Sequence, residues 1–188
     1  MRSRYDAFVG WLFRETTDTW LTLLRVGLGL HVVLYCLALR RDWSFLLASD
    51  TGGLINRRLA ERILATESPL IPKLSWLVAA AEHLHASESS ALWIIWATLL
   101  AAGIALTAGF ACRASAIALW LLHLAVAKSG ALSAYGVDNF MTIGLFYLMI
   151  APLPDRAALD RKLRPHASPP DPRLLGFFRG VLQVHLCF

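Results

Sequence analysis

The chain has 188 residues, of which 57% are hydrophobic and 16% charged, and it carries a net charge of +5. Soluble domains carry about 25% charged residues; the low charge, the mean hydropathy of +0.55 and the long apolar runs argue against an ordinary soluble core and for a chain whose solvent is a lipid bilayer. No stripe of Lys or Arg interleaves with aromatics, which argues against nucleic acid as a partner.

In chain order, Tyr5, Phe8, Val9, Leu12 and Phe13 recur on one helical face, framed by Arg2, Arg4, Asp6, Arg14 and Glu15. That pattern predicts a helix lying in the membrane interface. Thr16 to Asp18 supply capping chemistry for a first span over Trp20–Leu39, long enough to cross a ~30 Å hydrocarbon core. Arg25 and His31 lie inside it. A charge near mid-bilayer costs at least ~2.5–3.5 kcal/mol, so Arg25 is expected to snorkel toward Trp20 or to find an acceptor, with Gly29 leaving room on the same face.

The mixed segment Ser44–Ser90 follows. It reads as a turn at Thr51-Gly52-Gly53, a charged run from Asn56 to Glu67, breaks at Pro69 and Pro72, and a second interfacial helix over Leu74–Ala86. Glu82, His83 and His85 close that helix. Histidines two apart point to different sides of a helix, so solvated side chains are expected there and no metal site.

The second span covers Ala91–Ala111. Ala97, Ala101, Ala105 and Gly109 repeat every four residues and predict close packing against the third span, 114–132, across the tight Cys112-Arg113 connection. His123 lies within the third span, and Lys128 near its end is expected to snorkel. Ser129–Tyr135 reads as a loop or a loosened helix end. The fourth span, 138–152, is short and is stopped by Pro152 and Pro154.

Asp138, at its entrance, is either an N-cap or an ion-pairing, proton-handling group with Arg25, Lys128 or His123 in reach. Counting depth along upright helices puts Arg25 and Asp138 near opposite faces, ~20 Å apart. Asp138 reads as the one span-end carboxylate outside a solvated charge run, because Asp155 opens the basic, proline-rich loop Asp155–Asp171. That loop holds Arg156, Arg161, Lys162 and Arg164. Its charge places it, and with it the N-terminus, in the cytoplasm.

A fifth apolar run, 174–188, stops without a cap or charged flank, so the sequence reads as truncated there. Cys36, Cys112 and Cys187 form no C-x-x-C pair and read as thiols packed like small hydrophobes. No secretory signal peptide is evident. The fold class expected is an all-α, polytopic integral membrane bundle with interfacial amphipathic helices.

Several of these segments resemble one family. LTLLRVGLGLHVVLYCLALRRDW resembles the opening helix of the HTTM family, the membrane domain related to vitamin K-dependent gamma-carboxylase. An arginine there precedes small residues, here Arg25, Gly27 and Gly29. TAGFACRASAIALWLLHLAV resembles the family's glycine-to-arginine turn, here Gly109 and Arg113. AYGVDNFMTIGLFYLMIAPLPDRAALD resembles the segment with Gly136, Asp138 and a closing Asp160, and RGVLQVHLCF the start of the next helix.

The resemblance covers most of the chain and implies a vitamin K-like quinol as cofactor. Asp138 departs from the animal carboxylases, where that slot holds a histidine. Their catalytic lysine lies just beyond the helix that begins at Arg179, past Phe188, and no residue here matches it. Asp138 and His123 are therefore the catalytic candidates left by their own chemistry.

Three functional classes follow. One is a membrane enzyme, or its remnant, acting on a quinol-like cofactor between spans. Another is a non-enzymatic membrane protein binding a partner protein or peptide. A small transporter ranks last, since the sequence lacks paired broken helices and an inverted repeat.

Overall fold

The structure, a computed structural model, describes residues 2–49, 56–67, 70–130, 136–163 and 170–187. The expected Thr51-Gly52-Gly53 turn, most of the loop before Gly136 and the region around Arg164 lie outside them. The described residues form helices α1 (Arg2–Leu12), α2 (Thr19–Ala38), α3 (Trp43–Leu47), α4 (Arg57–Glu67), α5 (Leu74–His83), α6 (Glu88–Ala108), α7 (Cys112–Ser129), α8 (Gly136–Ile150), α9 (Leu159–Leu163) and α10 (Pro172–Cys187), with no strand among them. By length and composition α2 and α6 suffice to cross a membrane, and α8 is a shorter apolar helix.

The centre is a ring of four helices. α2 packs on α6 and α8, and α7 closes the ring between them. α3 and α5 lean on α6, α4 leans on α7, and α10 lies against α8 and α1. The sequence dictates the inner faces. Leu92, Ile95, Leu99, Gly103 and Leu106 step by three or four residues along α6 and are all buried, which is the spacing of one helical stripe. Leu21, Val32 and Cys36 of α2, Leu119 and Val126 of α7, and Leu145 and Leu148 of α8 join them in one core.

α2 and α6 approach each other closely at Gly29. A Cβ there would stand 2.4 Å from Thr107 Oγ1 and 2.8 Å from the Thr107 backbone nitrogen. This corrects the packing expected of Ala97, Ala101, Ala105 and Gly109. α6 and α7 are neighbours, but Ala97 and Ala101 are exposed, Ala105 is half-buried and only Gly109 is buried. The reason is geometric. Ala97 and Ala101 stand two residues, ~200° of helix turn, from the buried Ile95 and Leu99, so they face away from the ring.

The charged run after Asn56 takes on structure in the fold. It forms the amphipathic helix α4, with Arg57 and Glu61 buried. Arg57 donates to Glu88 at 2.7 Å. The Glu88 carboxylate also accepts from Ser49 N–H and Ser49 Oγ, both at 2.8 Å. Glu61 accepts from Ser129 Oγ at 2.6 Å and from Ser75 N–H at 3.1 Å. Ser129, expected in a loop or a loosened helix end, is the last residue of α7, and its Oγ accepts the Leu74 N–H at 2.9 Å. These bonds tie α3, α4 and α5 over one end of the ring.

Candidate functional site

Two groups of polar side chains lie inside the ring, near its opposite ends. The first is built on Arg25. Its side chain is 1% exposed and its carboxylate partner is Asp155, 0% exposed, with Nε 2.5 Å from Oδ2. Nη1 donates to the carbonyls of Leu106 at 2.6 Å and Thr107 at 2.7 Å, at the end of α6. Asp155 Oδ1 accepts from Thr22 Oγ1 at 2.9 Å and from the Ala157 N–H at 3.0 Å. Each side of the buried pair thus has further hydrogen bonds, the condition under which burying two charges is tolerable.

Arg25 therefore does not snorkel, and its partner is not Asp138. Asp155 does not belong to a solvated charge run. Its sequence neighbours are basic and proline-rich, yet it directly follows the Pro-Leu-Pro stop of α8, at the depth where α2 begins.

The other residues singled out near this end fasten the same region. Asp160 accepts from the Ala111 N–H at 2.8 Å and the Cys112 N–H at 2.7 Å, capping the start of α7. Gly109 sits at φ +77°, where a Cβ would meet Ala158 Cα at 2.6 Å, and its carbonyl accepts the Asp160 N–H at 2.9 Å. Arg113 donates to the carbonyls of Met149 at 2.6 Å and Ala151 at 2.9 Å, at the end of α8. These are structural contacts. Asp160→Ala is expected to lower stability by about 1–2 kcal/mol through loss of the cap, read as a lower thermal midpoint in detergent; an unchanged midpoint would contradict the role.

The second group brings together the two catalytic candidates. His123 on α7 is fully buried, with Nε2 3.8 Å from Asp138 Oδ1 and 3.4 Å from the Asp138 carbonyl. His123 Nδ1 is buried with no hydrogen-bond partner in the protein. The Tyr35 ring of α2 meets the imidazole edge-on, with centroids 5.7 Å apart. Asp138 lies inside the first turn of α8, which begins at Gly136, rather than at its cap. An imidazole next to a carboxylate can hold or pass a proton. Lys128 stands half-buried in the last turn of α7 and belongs to neither group.

Beside this pair runs a groove between α2, α8 and α10. It has a volume of about 310 Å³, and Leu28, Phe140, Met141, Gly144 and Leu182 line it together with His31. At the far end of α5, Glu82, His83 and His85 are exposed. Cys36 and Cys112 are buried free thiols and Cys187 is exposed.

Comparison with protein-family models, with curated proteins and with solved structures finds no match to this chain.

Proposed function

We propose that this chain is a multi-pass membrane domain of the HTTM type. In this reading α2, α6, α7 and α8 cross the bilayer, and the N-terminus and the segment after α8 face the cytoplasm. The observation that carries the reading is inverted polarity. Arg25, Asp155, His123 and Glu61 point inward and are buried, while Leu23, Leu30, Leu34 and Leu37 of α2 and Ile94 and Ile104 of α6 point outward and are exposed.

Only 28% of the apolar window of α2 and 33% of that of α6 is buried. A core helix of a soluble protein would be mostly covered. Soluble monomers rarely expose contiguous apolar patches larger than about 300–600 Å², and a bilayer supplies the missing cover. The contacts of Arg25, Gly109, Arg113 and Asp160 give these four residues of the resemblance a structural role.

Topology is testable with an impermeant thiol reagent on cells, in a Cys187→Ser background. Arg156 and Leu84 are both exposed. Arg156→Cys is expected to react only after permeabilisation and Leu84→Cys on intact cells. Labelling of both from the same side would contradict the proposed crossings.

The groove beside His123 and Asp138 favours a ligand-handling role within this reading. It is apolar, has one imidazole in its wall, and lies at the small end of ligand-pocket sizes, about 300–1,000 Å³. In this reading the ring of the quinol that the resemblance implies would enter the groove, where His31 would hydrogen-bond a ring oxygen. Such a cofactor would supply redox chemistry; the chain's own residues would orient it, exclude water and hold a proton at the His123–Asp138 pair. A short-chain naphthoquinol should raise the thermal midpoint of the wild type, and the shift should be lost in His31→Leu. An equal shift in both proteins would remove His31 from the site.

A further inference from the structure

At the end of the bundle where α2 begins, Arg14, Thr16, Trp20, Leu23 and Arg179 line an open cavity of about 540 Å³. Three of its polar atoms, Thr16 Oγ1, Trp20 Nε1 and Arg179 Nε, are buried with no hydrogen-bond partner in the protein. Buried polar groups are nearly always paired, and these three unpaired groups all belong to residues of one cavity wall. Their chemistry is specific. Indole and guanidinium nitrogens only donate, and Arg14 adds a second guanidinium. Glu15 also lines the cavity, but Arg173 Nε holds its carboxylate at 3.4 Å.

Asp18, the N-cap of α2, makes no side-chain bond to the helix; its carboxylate accepts the Arg156 N–H at 2.7 Å instead. That carboxylate offsets the positive end of the α2 dipole, so the attraction for an anion rests on the guanidiniums of Arg14 and Arg179. An anion with several acceptor oxygens matches this set. The apolar wall identifies its carrier: Leu23, one turn into α2, is 69% exposed on the outward face.

We propose that this cavity binds the phosphate of an anionic phospholipid, with an acyl chain running down α2 past Leu23. Trp20 then sits at head-group depth, where tryptophan is favoured, and the basic residues face the lipid phosphate. The proposal rests on the membrane reading given above. Free inorganic phosphate offers the same oxygens without the acyl chain, and the test separates the two sources.

The full chain, purified in a non-ionic detergent, is titrated with dioleoyl phosphatidylglycerol and with dioleoyl phosphatidylcholine and followed by native mass spectrometry. One saturable phosphatidylglycerol molecule is expected, retained in preference to phosphatidylcholine. Arg179→Gln should weaken retention about tenfold, the scale of one charge-assisted hydrogen bond, and Arg179→Lys should restore part of it. Arg14→Gln alters an exposed side chain, leaves the fold intact and should weaken retention to a similar degree. Trp20→Phe, which removes one N–H and keeps an aromatic ring, should weaken it less, and Arg62→Gln on α4 should change nothing.

Equal retention of both lipids, or wild-type retention by Arg14→Gln and Arg179→Gln, would overturn the site. Displacement of phosphatidylglycerol by equimolar inorganic phosphate would overturn the lipid as its ligand. A chain that stays monodisperse without detergent would instead overturn the membrane reading, a separate outcome.

Discussion

Asp155→Ala is expected to cost about 3–5 kcal/mol, enough to remove most folded protein from a detergent extract, because it strands the Arg25 guanidinium inside the bundle. Arg25 would keep only the carbonyls of Leu106 and Thr107. Arg25→Met should be similarly damaging, since it leaves the Asp155 carboxylate, 0% exposed, with the neutral donors of Thr22 and Ala157. The double variant should lose less than the sum of the two single variants, as residues in one buried network are strongly coupled. Thermal midpoints of the four proteins check this. Additive losses would mean that the pair does not act as a unit.

Gly29→Leu is expected to have the second largest effect. The atoms a side chain would meet include the Thr107 backbone nitrogen and, at 3.1 Å, the Gly103 carbonyl. Backbone cannot rotate aside, so α2 and α6 must separate. The loss should lie at the upper end of the roughly 1–3 kcal/mol that overpacking costs. Ala101→Leu, on the exposed side of α6, should stay within about 0.5 kcal/mol of the wild type. Thermal midpoints in the same detergent decide it, and a reversed order of the two variants would return the tight interface to the Ala97–Ala101 face.

These two results mark where the sequence was legible. Apolar run length and proline stops are local signals, and α2, α6 and α8 fall within a few residues of the runs that announced them. The need of Arg25 for a partner was equally readable, since a charge in an apolar helix is costly wherever the chain goes. Its partner was not, because Asp155 lies 130 positions away and its sequence neighbours suggest solvent. The depth argument that separates Arg25 from Asp138 also brings Asp155 level with Arg25, because α8 ends where α2 begins.

The small-residue repeat misled for a different reason. A spacing of four marks a stripe but not which side of the helix faces inward, and the Ala97–Ala101 side lies ~200° from the buried Ile95–Leu99 side. The burial of Arg57 and Glu61 was hidden because their inward face shows only against the hydrogen-bonding partners Glu88 and Ser129, which arrive from other helices. The closeness of His123 and Asp138 is likewise tertiary. Each was noticed for its own chemistry, and only the packing of α7 on α8 brings them together.

In the proposed membrane reading the exposed apolar faces of α2 and α6 look into lipid. Spin labels placed singly at Leu30 and Ala101, in a Cys187→Ser background reconstituted into liposomes, test it through collision with molecular oxygen and with a water-soluble nickel chelate. Arg62, on the exposed side of α4, serves as the aqueous reference. Frequent collision with oxygen and rare collision with the chelate at both positions is the predicted result. Chelate collisions as frequent as at Arg62 would contradict the account.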